Sequence, residues 1–197
     1  MIDSNNKVKN SFSGKGVFPP KYAFTLLLPL RNIFLSPKKL IRRLELKEDF
    51  KVLEIGPGPG FFSTHIAKFL DQGHLVLLDI QEEMLELSRK RLARRNIFNV
   101  DYILTNGINF EIENNIFDRV FMVTVIGEVE NKDNYLQEIF RTLKEEGVLS
   151  ISELAGDPDK ISIDELIHLV CSHGFEVLKV YGNNRNYTIN FKKKNII

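Results

Sequence analysis

Cysteine is nearly absent. Cys171 is the single thiol in 197 residues, so no intrachain disulfide can form, and the stapled frameworks of small secreted domains are excluded. Charge of one sign is also missing: 27 Lys and Arg against 26 Asp and Glu leave a net charge of +1 with four histidines neutral. No global field gathers nucleic acid or an anionic membrane, so no nucleic-acid partner is expected. Basic residues cluster only locally, at Arg89-Lys90-Arg91 with Arg94-Arg95 and at Lys192–Lys194, and read as a solvated helix end and a tail. Long apolar runs are lacking too. The longest oily stretch, Tyr22 to Leu35, is interrupted by Pro29, Arg31 and Asn32, short of the ~20 residues a membrane helix needs, so no transmembrane segment is expected. The opening MIDSNNKVKN is polar and has no signal-peptide core, which makes the cytoplasm the expected location. His65, His74, His168 and His173 are scattered without paired ligand spacing, so no metal is expected. No internal repeat, low-complexity segment or signal for oligomeric state is present.

What the chain does have is the composition of one globular domain, 43% apolar and 27% charged, long enough to bury a core. From about residue 50, short apolar runs alternate with amphipathic ones. Strands are expected at 51–55, 74–79, 100–104, 118–124, 147–153, 175–181 and 186–193. Helices are expected over 61–70, 82–94 and 132–144, and from the capping box Ser162-Ile-Asp-Glu165 to Gly174. Strand–helix alternation predicts right-handed βαβ units and a parallel sheet covered on both faces. The last two strands are joined too tightly for a crossover. The expected fold is therefore α/β and Rossmann-like, a seven-stranded, mostly parallel sheet with the last strand antiparallel and helices on both faces. Residues 1–48 read as an N-terminal helical cap, with Ser36-Pro37 starting a helix, and 49–197 as the core of a single domain.

The strongest chemical signal is Glu54-Ile55-Gly56-Pro57-Gly58-Pro59-Gly60-Phe61, where the first strand meets its helix. Glycines at every second position let the backbone turn sharply and approach a ligand, at the place where open α/β sheets bind. A dinucleotide fingerprint would need glycine at 61, where Phe61 stands, and Phe61 and Phe62 fill the helix turn that a pyrophosphate would occupy. Asp79 ends the second strand nineteen residues after Gly60, placed to accept both hydroxyls of a ribose or to cap the next helix.

With these features the chain resembles the class I S-adenosylmethionine-dependent methyltransferases, in particular the ubiquinone/menaquinone methyltransferase-like group, from about Gly14 to Lys193. The resemblance rests on VLEIGPGPGFFS, LLDIQEEML, FDRVFMVTVIGEV, FRTLKEEG and LSISE. It implies a methyltransferase using S-adenosylmethionine and releasing S-adenosylhomocysteine. Glu54 and the loop of Gly56, Pro57, Gly58 and Gly60 would face the methionine moiety, and Asp79 the ribose. Ile80 and Met84 would sandwich the adenine, Asn106 and Gly107 would read its edge, and Thr124 would offer its carbonyl near the amino-acid end.

Three departures from the family stand out, the first touching adenine binding and the other two the acceptor. Asn106 stands where aspartate is usual, Gly127-Glu128 replaces a pair of histidines found in many relatives, and no N/D-P-P-Y/F motif follows the fourth strand. Glu128, Glu153, Tyr22 and Asp157 are the candidate bases should the acceptor need to lose a proton. In the cap, Phe18, Tyr22, Phe24, Leu26 and Leu27 offer an apolar wall suited to a small, lipophilic acceptor, or else plain core packing. The alternatives are a protein that binds S-adenosylmethionine or S-adenosylhomocysteine without catalysis, and an NAD(P)-dependent oxidoreductase.

Overall fold

The structure is a computed structural model that describes residues 35–194. The cap residues before Leu35, Tyr22 among them, lie outside the described residues. Helix α1 (Pro37–Arg43) starts as expected, with the Ser36 hydroxyl accepting from the Lys39 amide at 3.3 Å and proline in the first turn. Then follow β1 (Lys51–Ile55), α2 (Ser63–Phe69), β2 (His74–Asp79), α3 (Glu82–Ala93), β3 (Val100–Leu104) and β4 (Phe117–Val123). The chain continues through α4 (Lys132–Thr142), β5 (Leu143–Glu153), α5 (Ile163–Cys171), β6 (Phe175–Asn183) and β7 (Asn186–Lys193).

The seven strands form one sheet in the order β3-β2-β1-β4-β5-β7-β6. All neighbours from β3 to β5 are parallel, while β7 inserts between β5 and β6 antiparallel to both, so β7 alone is reversed. Strand order reverses between β1 and β4, which opens a crevice at their carboxyl ends. The apolar runs of the central strands are buried on both faces. On one face Leu40, Ile66 and Leu85 from α1, α2 and α3 pack on Val52, Leu75 and Phe121. On the other, Leu136, Ile139 and Leu166 from α4 and α5 pack on Leu53, Val120 and Ile151.

Two boundaries differ from expectation. Helix α2 starts at Ser63 rather than 61; Phe61 and Phe62 are buried in the preceding turn, and Phe62, already helical in φ and ψ, caps the helix by accepting from the Ile66 amide at 3.0 Å. Strand β5 starts at Leu143, directly after α4, instead of at Gly147. Leu143 pairs with Phe117 and Val148 with Arg119, and the irregularity between these pairs absorbs the extra residues. Of the C-terminal lysines, Lys194 is exposed, but Lys193 lies in β7, is 5% exposed and pairs with Glu145 at 3.1 Å. Among the described residues no helix is long and apolar enough to cross a membrane.

Candidate functional site

The loops after β1, β2, β3, β4 and β5 meet along one edge of the sheet. After β1 the chain turns through Gly56, Gly58 and Gly60 with φ of 66°, 54° and 79°, a region side chains rarely enter. The glycines do different jobs. A Cβ on Gly56 would fall 2.5 Å from Val125 Cγ2, so this turn lies directly against the loop after β4. A Cβ on Gly60 would lie 3.0 Å from Ser88 Cβ, so Gly60 packs on α3 rather than facing the crevice. Glu54 and Pro57 are buried beneath the turn.

Asp79 closes β2 beside this loop, its Oδ1 accepting from the Gln81 amide at 3.0 Å. Burial pushes its carboxyl up to about 6, against the opposing pull of the Gln81, Ile80 and Gly58 backbone amides. The Gly58 amide therefore ties the glycine turn to the β2 carboxylate. Next to Asp79, Ile80, Leu104 and Ile108 are 42%, 53% and 65% exposed, an unusual run of bare apolar side chains. They sit at or beside a shallow cleft of about 310 Å³ that Thr105, Asn106, Asn109 and Glu111 also line. Met84 is 2% exposed and does not line it. A larger hollow of about 630 Å³, lined by His65, Lys68, Asp71, Arg95 and Phe98 among others, lies away from the glycine turn and Asp79.

The loop after β3 is held by its own side chains. Asn106 Oδ1 accepts from the amides of Ile108 and Asn109 at 2.9 and 3.2 Å, and Thr105 Oγ1 accepts from the Gly107 amide at 3.1 Å. The Asn106 oxygen and the Gly107 amide are thus committed to the loop, which leaves the side-chain N–H groups of Asn106 as the donors that can meet a ligand. The sequence reading missed Tyr135. Its place on the apolar stripe of α4 marked it as core, and it is 7% exposed. Yet its hydroxyl lies 3.9 Å from where a Gly107 Cβ would stand, and burial, then the charge of Asp79, pushes its phenol up to about 12.

Thr124 follows β4 with φ 57°, a left-handed conformation that costs a β-branched residue on the order of 1–3 kcal/mol. Its amide donates to the Ser152 carbonyl at 2.8 Å, which holds the strained residue at the strand end. Of the candidate bases, Glu128 and Asp157 are half-buried on the loops after β4 and β5, and Glu153 at the end of β5 is wholly buried. Among the described residues no three His, Cys, Asp or Glu side chains are grouped to hold a metal ion.

Known proteins agree with this geometry. Residues 46–193 match the methyltransferase-domain family profile. The ubiquinone/menaquinone biosynthesis C-methyltransferase UbiE of Hydrogenovibrio crunogenus is 38% identical over 53% of this chain and 42% of its own length. That of Vibrio campbellii is 30% identical over 67% of this chain and 50% of its own. The chain thus spans about half the length of these relatives or less. The crystal structure of an S-adenosylmethionine-dependent methyltransferase from Aquifex aeolicus superposes with a TM-score of 0.84 at 23% identity, covering 89% of this chain and 98% of that one. That likeness extends to the fold. By the match to three-quarters of its length, this chain belongs to the methyltransferase-domain family.

Proposed function

We propose that the protein is an S-adenosylmethionine-dependent methyltransferase acting on a small-molecule acceptor with an apolar body. The observation that carries this reading is the Asp79 carboxylate, joined to the glycine turn by the Gly58 amide and set beside exposed Ile80, Leu104 and Ile108. The residues fit an adenosyl group. A carboxylate kept partly out of water accepts two ribose hydroxyls well, and bare aliphatic side chains give a purine ring a surface. When bound, S-adenosylmethionine supplies a methyl group on a sulfonium, already activated for displacement.

The remaining work falls to the chain. Asp79 accepts from the ribose, and Ile80 covers one side of the base. The side-chain N–H groups of Asn106 and the carbonyl of Gly107 meet the base edge, and Glu54 and the loop from Gly56 to Gly58 face the methionine end. Holding the reactants in line and excluding water is the main catalytic contribution for such a displacement. We assign one domain to residues 1–197, with 1–48 as a cap over the acceptor and 49–197 as the core, and the cytoplasm as its location. The free thiol of Cys171 supports that location. The ubiquinone/menaquinone biosynthesis enzymes among the relatives support a small lipophilic acceptor. The test is formation of S-adenosylhomocysteine, followed by mass spectrometry, from S-adenosylmethionine and a fractionated small-metabolite extract. An acceptor-dependent signal supports transfer, and none from any fraction rejects it.

A further inference from the structure

Carboxyl groups gather where the loops after β4 and β5 meet. Glu153, the last residue of β5, has no exposed surface, and neither of its side-chain oxygens has a hydrogen-bond partner. It pairs in register with Tyr187, whose hydroxyl is already committed to the Ile161 carbonyl at 2.7 Å. The following loop, 154–161, carries Asp157 and Asp159. The loop bearing Glu128 lies against it, since a Cβ on Gly127 would fall 2.0 Å from the Asp159 carbonyl oxygen. A Cβ on Gly56 would likewise fall 2.5 Å from Val125, so the loop after β4 packs between the glycine turn and the loop carrying these acids.

The field around Glu153 is lopsided. Asp157, Glu128 and Asp159 act on it with negative charge, and among the described residues Lys160 is the one cation acting against them. The Lys160 ammonium is itself held by the carbonyls of Asn184 and Arg185 and stands 5.3 Å from the centre of the Tyr187 ring. Burial first, and these neighbours second, push the Glu153 carboxyl up to about 8, so the group is mostly neutral at pH 7. A buried acid with no donor is unfavourable for folding, and an apolar side chain would fill the place without that cost. A metal does not explain it, because no suitable set of ligands converges among the described residues. An ammonium needs only negative charge and nearby acceptors, with no fixed coordination geometry. A phenolate or enolate would be repelled by the same field.

We propose that Glu153, with Glu128, Asp157 and Asp159, forms a subsite for the ammonium group of an amine acceptor. The inference rests on the methyltransferase reading above and narrows its acceptor to an amine with an apolar body. Access requires the 154–161 loop to swing about Gly156, which has φ 90° and nothing within 4 Å of a Cβ position. On binding, the ammonium stabilises the Glu153 carboxylate, and the acid proton of Glu153 leaves to solvent.

Calorimetry on the protein saturated with S-adenosylhomocysteine tests this, using tyramine and 4-ethylphenol as probes that differ only in the ammonium group. At pH 7, in two buffers of different ionisation enthalpy, tyramine should bind about tenfold tighter, as expected for one desolvated charge pair, and release close to one proton. Glu153→Gln should abolish both the preference and the proton release, and Asp157→Asn, on the loop, should reduce the preference in a protein whose buried core is untouched. Equal affinity for the two probes, tyramine binding without proton release, or no saturable binding of either overturns the subsite. If S-adenosylhomocysteine itself fails to bind, the methyltransferase reading falls instead.

Discussion

Replacing Asp79 by asparagine should make the free protein more stable and the cofactor complex weaker. Burial raises the Asp79 carboxyl from 3.8 to about 6, so the folded state disfavours its charge. The sign follows from proton counting. Below about pH 4 the group is protonated both folded and unfolded and contributes nothing. As pH rises from 4 to 6 the unfolded chain ionises first, and stability falls; above 6 the loss is constant. A difference of about 2 pH units corresponds to about 3 kcal/mol at pH 7. That shift already includes the opposing bonds from the Gln81, Ile80 and Gly58 amides, so asparagine, neutral like the protonated acid and able to accept the same bonds, removes the whole penalty. The net gain in the free protein is therefore about 3 kcal/mol at pH 7 and well under 1 kcal/mol at pH 4. Ribose hydroxyls lose a charged acceptor, which weakens binding by about 1.5–3 kcal/mol, or roughly 10- to 150-fold. Urea unfolding at the two pH values and calorimetry with S-adenosylhomocysteine measure both effects. A variant that is less stable at pH 7, or that binds with unchanged affinity, refutes the role given to Asp79.

Gly58→Val forces a β-branched residue to φ 54° and should abolish S-adenosylhomocysteine binding while the far-UV circular dichroism stays native; normal binding would remove the glycine turn from the site. Tyr135→Phe should weaken that binding about threefold to tenfold, the worth of one neutral hydrogen bond, with little change in Tm, and unchanged affinity would return Tyr135 to the core alone. Thr124→Gly should relieve the left-handed strain, offset in part by backbone entropy, for a net gain of about 1 kcal/mol seen as a higher Tm; a lower Tm would mean that φ 57° is not costly there.

The sheet was legible from the sequence because its strands are buried on both faces and stand out as apolar runs, as HLVLLD at 74–79 does. The reversed strand was legible from the short Gly182–Arg185 connection, but its insertion between β5 and β6 was not, since a tight turn fixes direction and not the neighbour on the far side. The start of β5 at Leu143 was hidden because Lys144-Glu145-Glu146 carries no strand pattern, its residues being half-buried or exposed. Within the site, the glycine turn and Asp79 announced themselves by type and spacing. Gly60 did not reveal that it serves the packing of α3, because the same residue suits a ligand or a helix neighbour. Tyr135 was masked by the helical periodicity that also buries its ring. Asn106 was expected to read the adenine edge, but its side-chain oxygen is occupied by a nearer partner, the amides of its own loop.

The most direct test of the adenosyl site is calorimetric titration of the purified protein with S-adenosylmethionine, S-adenosylhomocysteine and NADH. Saturable binding of the two adenosyl compounds, weakened by Asp79→Asn, with no heat from NADH, is the predicted result. Binding of NADH alone, or of none of the three, would contradict it.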